Sequence, residues 1–370
     1  MNKILTMMFG LFILCWVGCQ KASMEPVLHN PNEVNIHYSG RIDFSDPSKP
    51  RLSGSGSYIR VKFYGTSCSV DLCNENKDGG YGYISTIIDG DYQGRTRVEH
   101  EPVTVDIVQD LAAGEHQLII CKDTEAQNGY LEFTGMRCGT LLPVTDLPAH
   151  KIEFIGNSIT CGMGLDTEDI PCDQQQTWLD EHSAWLAYGP STARQLDADW
   201  LLSSYSGIGL VRFWNKEGPT MGQFYDYLYL NPADSVKWDF SRYVPDLVSI
   251  CLGTNDFSDG DGSYDRAPLD SAKYVNAYIK FIKGIRGNYP DAQICCLSSP
   301  MLTGEKDARI QRFLTAIVDH MRKVEGDAKV DKFFLAPGVY THGCGNHPDL
   351  ADHQKMTDQL VPFFKELMGW

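Results

Sequence analysis

The sequence predicts two domains of different class: an antiparallel β-sandwich at 30–145, then an α/β domain at 150–370 with a parallel sheet covered by helices on both faces. Three observations carry this. Residues 35–138 form short extended runs separated by Gly, Asn and Asp, with no helical period. From Lys151 onward apolar strands alternate with amphipathic helices, the pattern of a parallel sheet. Pro143 and Pro148 bracket a stretch that reads as the linker. A chain of 370 residues, 42% hydrophobic, is long enough to bury two cores.

In the first domain, segments 58–63, 103–107 and 130–133 alternate polar with apolar side chains, as strands with one buried face do. Turns are marked by Asp78-Gly79-Gly80, Asp89-Gly90 and Ala113-Gly114. In the second domain the expected strands are 152–155, 200–203, 247–252, 294–297 and 332–335. A helix at 270–289 places Val275, Tyr278, Ile279, Ile282 and Ile285 on one face and ends at Pro290. A last helix at 351–367 buries Met356, Leu360, Phe363, Phe364 and Leu367. Ligands of such sheets bind beyond the carboxyl ends of the strands, and the polar motifs of this chain all follow strands.

The formal net charge of -16 argues against nucleic acid or an anionic membrane surface as partner and is compatible with a neutral polymer. The N-terminus reads as a secretory leader at 1–19: Lys3, an apolar run interrupted only by Thr6, then Gly18 and Cys19. That run is too short for a permanent span. Its end, Trp16-Val17-Gly18-Cys19, resembles the lipobox of bacterial lipoproteins. The resemblance implies export, lipidation of Cys19, and residence in the cell envelope, at the outer membrane, periplasm or cell surface, with the lipid as the sole membrane contact. An ordinary leader and a soluble secreted protein is the competing reading. Apart from Cys15 and Cys19, ten of the 12 cysteines remain. Cys161 with Cys172, or Cys68 with Cys73, could be bridged; Cys251, Cys295 and Cys296 sit in apolar runs and read as buried thiols. No connectivity follows from the spacing.

Four segments carry chemistry. Gly156-Asn157-Ser158 follows the first strand, and a Ser in a glycine-rich turn at a strand end is sterically open, as a nucleophile must be. The same pattern also makes ordinary turns and helix caps. Ser206-Gly207-Ile208-Gly209 follows the second strand, where Gly207 lets an amide N–H approach a ligand without a Cβ in the way. Gly253-Thr254-Asn255-Asp256 follows the third; the amide of Asn255 can donate to an oxyanion without altering the charge of the site. Asn346-His347-Pro348-Asp349 precedes the last helix, placing His347 to reach back over the strand ends and take a proton from Ser158. Each motif alone is weak evidence; their order, each after a strand of one sheet, is not.

Together, Gly156-Asn157-Ser158, Gly207, Gly253-Thr254-Asn255-Asp256 and His347-Pro348 resemble the four blocks of the SGNH, or GDSL-like, hydrolase superfamily. More narrowly, residues 152–162, Ser206-Gly207-Ile208-Gly209 and His353-Gln354-Lys355-Met356 are similar to carbohydrate esterase family two, with Ile88-Asp89-Gly90 and residues 111–116 fitting its first domain. The resemblance implies a jelly-roll-like sandwich followed by a flavodoxin-like SGNH domain. It implies an esterase that deacetylates polysaccharides or oligosaccharides such as xylan and glucomannan, without metal or cofactor; a monomer is expected, though the sequence leaves the oligomeric state open. Ser158 would be the nucleophile and His347 the base, with the N–H groups of Ser158 and Gly207 and the side chain of Asn255 as oxyanion hole. One departure stands out. These enzymes commonly carry an acid two or three residues before the His, where this chain has Gly345 and Cys344. That implies a Ser-His dyad oriented by a backbone carbonyl, with Asp349 as an alternative partner.

Two other readings compete. His342, Cys344, His347 and His353 are metal-ligand types, although their spacing fits no common zinc pattern. A glycan-binding surface lipoprotein without catalysis would use aromatics such as Trp178, Trp185, Trp214 and Tyr225 for stacking, or bury them.

Overall fold

The computed structural model describes residues 25–76, 80–172, 177–336 and 338–370. The leader with Cys19, and Asp78 and Gly79 of the expected turn, lie outside the described residues. No helix among the described residues is long and apolar enough to cross a membrane.

The first domain is one antiparallel network of ten strands in a jelly-roll-like half-barrel. Its spine is the strand Tyr58–Glu75, which pairs with Ile36–Ser39, Val103–Val108, Gly114–Lys122 and Tyr130–Leu142. At 18 residues this strand exceeds the usual ~3–10, and a register shift at Cys68/Ser69 marks an irregularity along it. Ile59, Val61 and Phe63 point into the domain core with Leu118, Ile120 and Phe133. On the opposite side of the same segment Tyr58 is fully buried, its ring tilted against Trp200 at 4.7 Å, and its hydroxyl donates to Asp199 at 2.6 Å. At Tyr58 the alternation that looked polar-out therefore faces the second domain, whereas Lys62 on the same side is partly exposed.

In that second domain five parallel strands run in the order Ala198–Ser204, His150–Gly156, Leu247–Cys251, Gln293–Leu297, Val330–Phe333. This is the flavodoxin-like order 2-1-3-4-5, whose switch point lies between the first and third strands in sequence. The last strand sits two residues earlier than expected, because Leu335 has left the ladder and donates its N–H to Ser298 Oγ at 3.0 Å. Helices Ser271–Asn288 and Gly304–Lys323 cover one face of the sheet, Tyr188–Gln195 and Leu350–Met368 the other. On Ser271–Asn288 the buried face is rotated from the expected one: Tyr274 and Phe281 are buried, whereas Val275 and Ile279 are only partly so.

The two domains share a core. Tyr58, Ile87, Ile119 and Cys121 of the first belong to the same buried cluster as Phe154, Trp185 and Trp200 of the second. Arg41 crosses the boundary fully buried, donating to Ser203 Oγ and to the Tyr227 carbonyl and lying 3.9 Å from the equally buried Glu153. Trp200 Nε1 donates to the Gly56 carbonyl at 3.0 Å. The cysteines correct the sequence reading. Cys172 is bridged to Cys344, not to Cys161, which is buried against Ser204 Oγ. Cys68 and Cys73 stand five residues apart on one continuous strand, roughly 16 Å, beyond the reach of a bridge. Cys251, Cys295 and Cys296 are buried thiols.

Candidate active site

Ser158 is the first residue of the short helix Ser158–Cys161, directly beyond the strand His150–Gly156 and beside the switch point. Asn157 caps that helix, its side chain accepting from Ile159 N–H at 3.2 Å. The first amides of a helix lack intrahelical acceptors, so the Ser158 N–H is available to a ligand. Ser158 Oγ–H donates to His347 Nε2 at 2.9 Å, joining residues 189 apart in sequence.

His347 is held by an unusual turn. Gly345 (φ 59°) and Asn346 (φ 58°) are both left-handed, a conformation Gly adopts freely and Asn tolerates. The turn brings the Gly345 carbonyl under the ring, where it accepts from Nδ1–H at 3.0 Å. Nε2 is then the unprotonated nitrogen facing Ser158. Burial pushes the His347 pKa below its ordinary 6.5, against the upward pull of the Gly345 carbonyl, so the imidazole stays neutral and able to accept a proton. Asp349 is committed elsewhere: it caps the last helix, accepting from Asp352 N–H at 2.8 Å.

The 343–347 loop lies on the nucleophile's own loop. Cys344 N–H donates to the Gly164 carbonyl at 2.9 Å, and a Cβ on Gly164 (φ +76°) would lie 2.8 Å from His347 Cβ. The Cys172–Cys344 bridge ties the same loop to the chain downstream of Gly164.

The second and third motifs meet each other. Asn255, buried at the start of the helix Thr254–Phe257, donates one Nδ2 hydrogen to the Ile208 carbonyl at 2.9 Å, and its other Nδ2 hydrogen has no acceptor among the described residues. Asp256 accepts from the backbone N–H groups of Leu210, Val211 and Arg212; burial nevertheless raises its pKa to about 6. Gly207 is left-handed (φ +79°), and a Cβ there would strike the Phe213 ring. Its carbonyl accepts from Trp214 N–H at 2.7 Å, whereas its own N–H has no acceptor among the described residues. The loop is thus pinned on both flanks of Gly207, whose N–H is unpaired among the described residues.

The four side chains weighed as zinc ligands each serve a different partner. Cys344 is in the disulfide, His347 faces Ser158, buried His353 accepts Tyr188 N–H at 2.9 Å, and His342 pairs with Asp352 at 2.7 Å. His342, Asp349 and Asp352 could bring ligand atoms within 4.8 Å of one another, but Lys355 already donates to Asp352 at 2.9 Å. Of the aromatics considered for stacking, Trp185 and Tyr225 are in the core, while Trp178 (36% exposed) and Trp214 (44%) are at the surface. Trp178 lies against His182, and Trp214 holds Gly207. Sequence reasoning missed Gly164, the disulfide, Asp256 as the anchor of the 210–212 amides, and Glu125, which bonds Ser206. Asp256 left a signal as part of the Gly253-Thr254-Asn255-Asp256 block, and Gly164 as part of the glycine-rich turn after Ser158.

A nucleophile-base pair over the switch point of a five-stranded 2-1-3-4-5 sheet is the arrangement of a GDSL-like hydrolase. Residues 154–361 match the model of the GDSL-like lipase/acylhydrolase family, and residues 38–148 match that of the carbohydrate esterase 2 N-terminal domain. The chain belongs to carbohydrate esterase family two. It is 38% identical over 347 residues to a cellulase/esterase of Acetivibrio thermocellus, a match covering 92% of this chain but only 40% of that longer protein. It is 27% identical to an acetylxylan esterase/glucomannan deacetylase of Cellvibrio japonicus, over 92% of this chain and 90% of the relative. Among solved structures, a family two carbohydrate esterase from Clostridium thermocellum in complex with cellohexaose superposes with TM-score 0.81 at 36% identity, over 90% of this chain and 99% of that one.

Proposed function

We propose that this protein removes O-acetyl groups from plant-type polysaccharides such as xylan or glucomannan, or from their oligosaccharides, through a Ser158–His347 dyad and an acetyl-enzyme. The observation that carries the reading is the 2.9 Å bond from Ser158 Oγ to a His347 ring whose other nitrogen is fixed on the Gly345 carbonyl. As Oγ attacks the acetyl carbonyl, His347 Nε2 takes the hydroxyl proton. The N–H groups of Ser158 and Gly207 and the free Nδ2 hydrogen of Asn255 receive the negative charge on the carbonyl oxygen. His347 then gives its proton to the departing sugar oxygen, and water, activated by the same ring, hydrolyses the acetyl-serine. In place of a carboxylate, the Gly345 carbonyl dipole orients the imidazole and stabilises its charged form.

A cavity of about 660 Å3 between the domains has room for a glycan, being lined by Arg51, Gln127, Tyr130, Tyr205 and Tyr229 among others. Its lining includes Tyr205, the residue before Ser206, but none of Ser158, Gly207, Asn255 and His347. A second reading, a glycan-binding surface lipoprotein without catalysis, draws on the Clostridium thermocellum relative bound to cellohexaose. Acetate release from acetylated xylan, glucomannan and simple sugar acetates, with Ser158→Ala as control, separates the two. Release abolished by Ser158→Ala supports the esterase; glycan binding without release supports the second. The leader motif supports export to the cell envelope and lipid attachment at Cys19. Cys19→Ser should then release the chain from the membrane fraction.

A further inference from the structure

We propose that Glu125, supplied by the sandwich domain, is a positioning residue of the oxyanion site: its carboxylate ties the loop bearing Gly207 to the loop bearing the nucleophile. The inference rests on the roles given above to Ser158 and Gly207. Glu125 is fully buried and follows the strand Gly114–Lys122. One oxygen accepts Ser206 N–H at 2.7 Å, and the other accepts Ser206 Oγ–H and His182 Nε2–H, the latter at 2.7 Å.

His182 is also fully buried, and its Nδ1 is bonded to the Trp178 carbonyl at 3.0 Å. Its backbone bridges Met163; next to it Ser183 N–H donates to the Gly162 carbonyl and Gly164 N–H to the Glu181 carbonyl. The turn following Ser158 is therefore laced to residues 181–183, and these in turn to Glu125. Glu125 holds Ser206, one residue before Gly207. Trp214 holds the Gly207 carbonyl, and Asn255 the Ile208 carbonyl. A peptide restrained on both sides can aim its remaining N–H in one direction only. Arg95 adds a second grip from the sandwich, donating to the carbonyls of Asp180 and His182.

Cohesion between the domains does not account for this carboxylate. A buried ion pair is weak evidence of stabilisation, and the shared apolar core already joins the domains. What distinguishes Glu125 is what it accepts: a backbone amide and a hydroxyl of the residue beside the free donor.

The test is Glu125→Gln in the full chain. Gln replaces one acceptor oxygen with an NH2 group, which cannot receive both the His182 and the Ser206 bonds. Amide exchange in the 204–212 segment should quicken. On an aryl acetate kcat should fall roughly 10- to 100-fold with KM within about twofold, and a small alkylboronic acid, which mimics the tetrahedral intermediate on Ser158, should weaken in parallel. If Glu125→Gln does not fold, Ser206→Ala, which removes only the hydroxyl donor, should show the same pattern at smaller size. Unchanged exchange in 204–212, or raised KM with unaltered kcat, overturns the proposal. If the parent enzyme does not turn over the aryl acetate, the esterase reading fails, and the exchange measurement decides on Glu125 by itself.

Discussion

Substituting Gly164 by Ala tests how closely the histidine loop is seated on the nucleophile loop. Gly164 has φ +76°, a region that costs a residue with a Cβ about 1–2 kcal/mol. The added carbon would lie 2.8 Å from His347 Cβ and closer still to the Cys344 carbonyl. Carbon atoms in contact sit at ~3.5 Å or more, so the histidine loop must retreat by about 0.7 Å. A retreat of that size along the bond would stretch the 2.9 Å Ser158–His347 contact to about 3.6 Å, outside the ~2.6–3.2 Å over which a base takes a proton. Displacements near 1 Å cost up to ~100-fold, so kcat on an aryl acetate should fall 10- to 100-fold. Thermal unfolding should show the modest loss expected of the strained φ. Gly284→Ala is the control: its Cβ meets nothing within 4 Å in the middle of the helix Ser271–Asn288, so stability should rise and activity stay level. Parental kcat in Gly164→Ala would refute the coupling of the two loops.

Other perturbations address the remaining parts of the site. Asn255→Ala removes one oxyanion donor and should cost about 3 kcal/mol of transition-state stabilisation, ~100-fold or more in kcat, while the orphaned Ile208 carbonyl lowers stability by only about 1–3 kcal/mol; unaltered turnover would contradict its role. Because desolvation holds the half-buried His347 below its ordinary 6.5, kcat/KM should rise with pH through an apparent pKa under 6.5 and then level off; a midpoint above 7 would count against a neutral base. Cys172→Ser frees the 343–347 loop from its covalent tether and should lower kcat more than it raises KM, and reducing agent should do the same to the parent. His353, buried and accepting from Tyr188 N–H, has its pKa lowered to about 3 by burial. The unfolded chain takes up that proton near 6.5 and the folded one does not, so stability is fully present above pH 6.5 and falls as the pH drops, by about 2–3 kcal/mol at pH 4.5. Unfolding curves of His353→Gln across pH 4–7 should be flatter than those of the parent.

The parallel-sheet half was legible because its signals are local. Five apolar runs, each punctuated by a glycine-rich or polar turn, mark strands, and each motif was named from a few adjacent residues. Errors arose where a local pattern meets a distant partner. The run at 332–335 looked like strand, but Ser298 draws the Leu335 amide out of the ladder. Segment 58–63 alternates as though one face met water, yet Tyr58 meets Trp200 of the other domain. The phase of helix Ser271–Asn288 shifted because its neighbours take Tyr274 and Phe281 rather than Val275 and Ile279.

By itself the sequence determined which chemistry the strand ends carry: a hydroxyl at 158, a glycine amide at 207, a carboxamide at 255, an imidazole at 347. Those positions depend on turn residues beside strands, a short-range matter. Only the tertiary structure decided that Cys172 pairs with Cys344 across 172 residues, and that Gly345 rather than Asp349 meets His347 Nδ1. It also decided that a glutamate of the first domain holds Ser206 from 81 residues away. Each is a contact between groups that no periodicity links, made only when separate elements pack and buried donors must find acceptors.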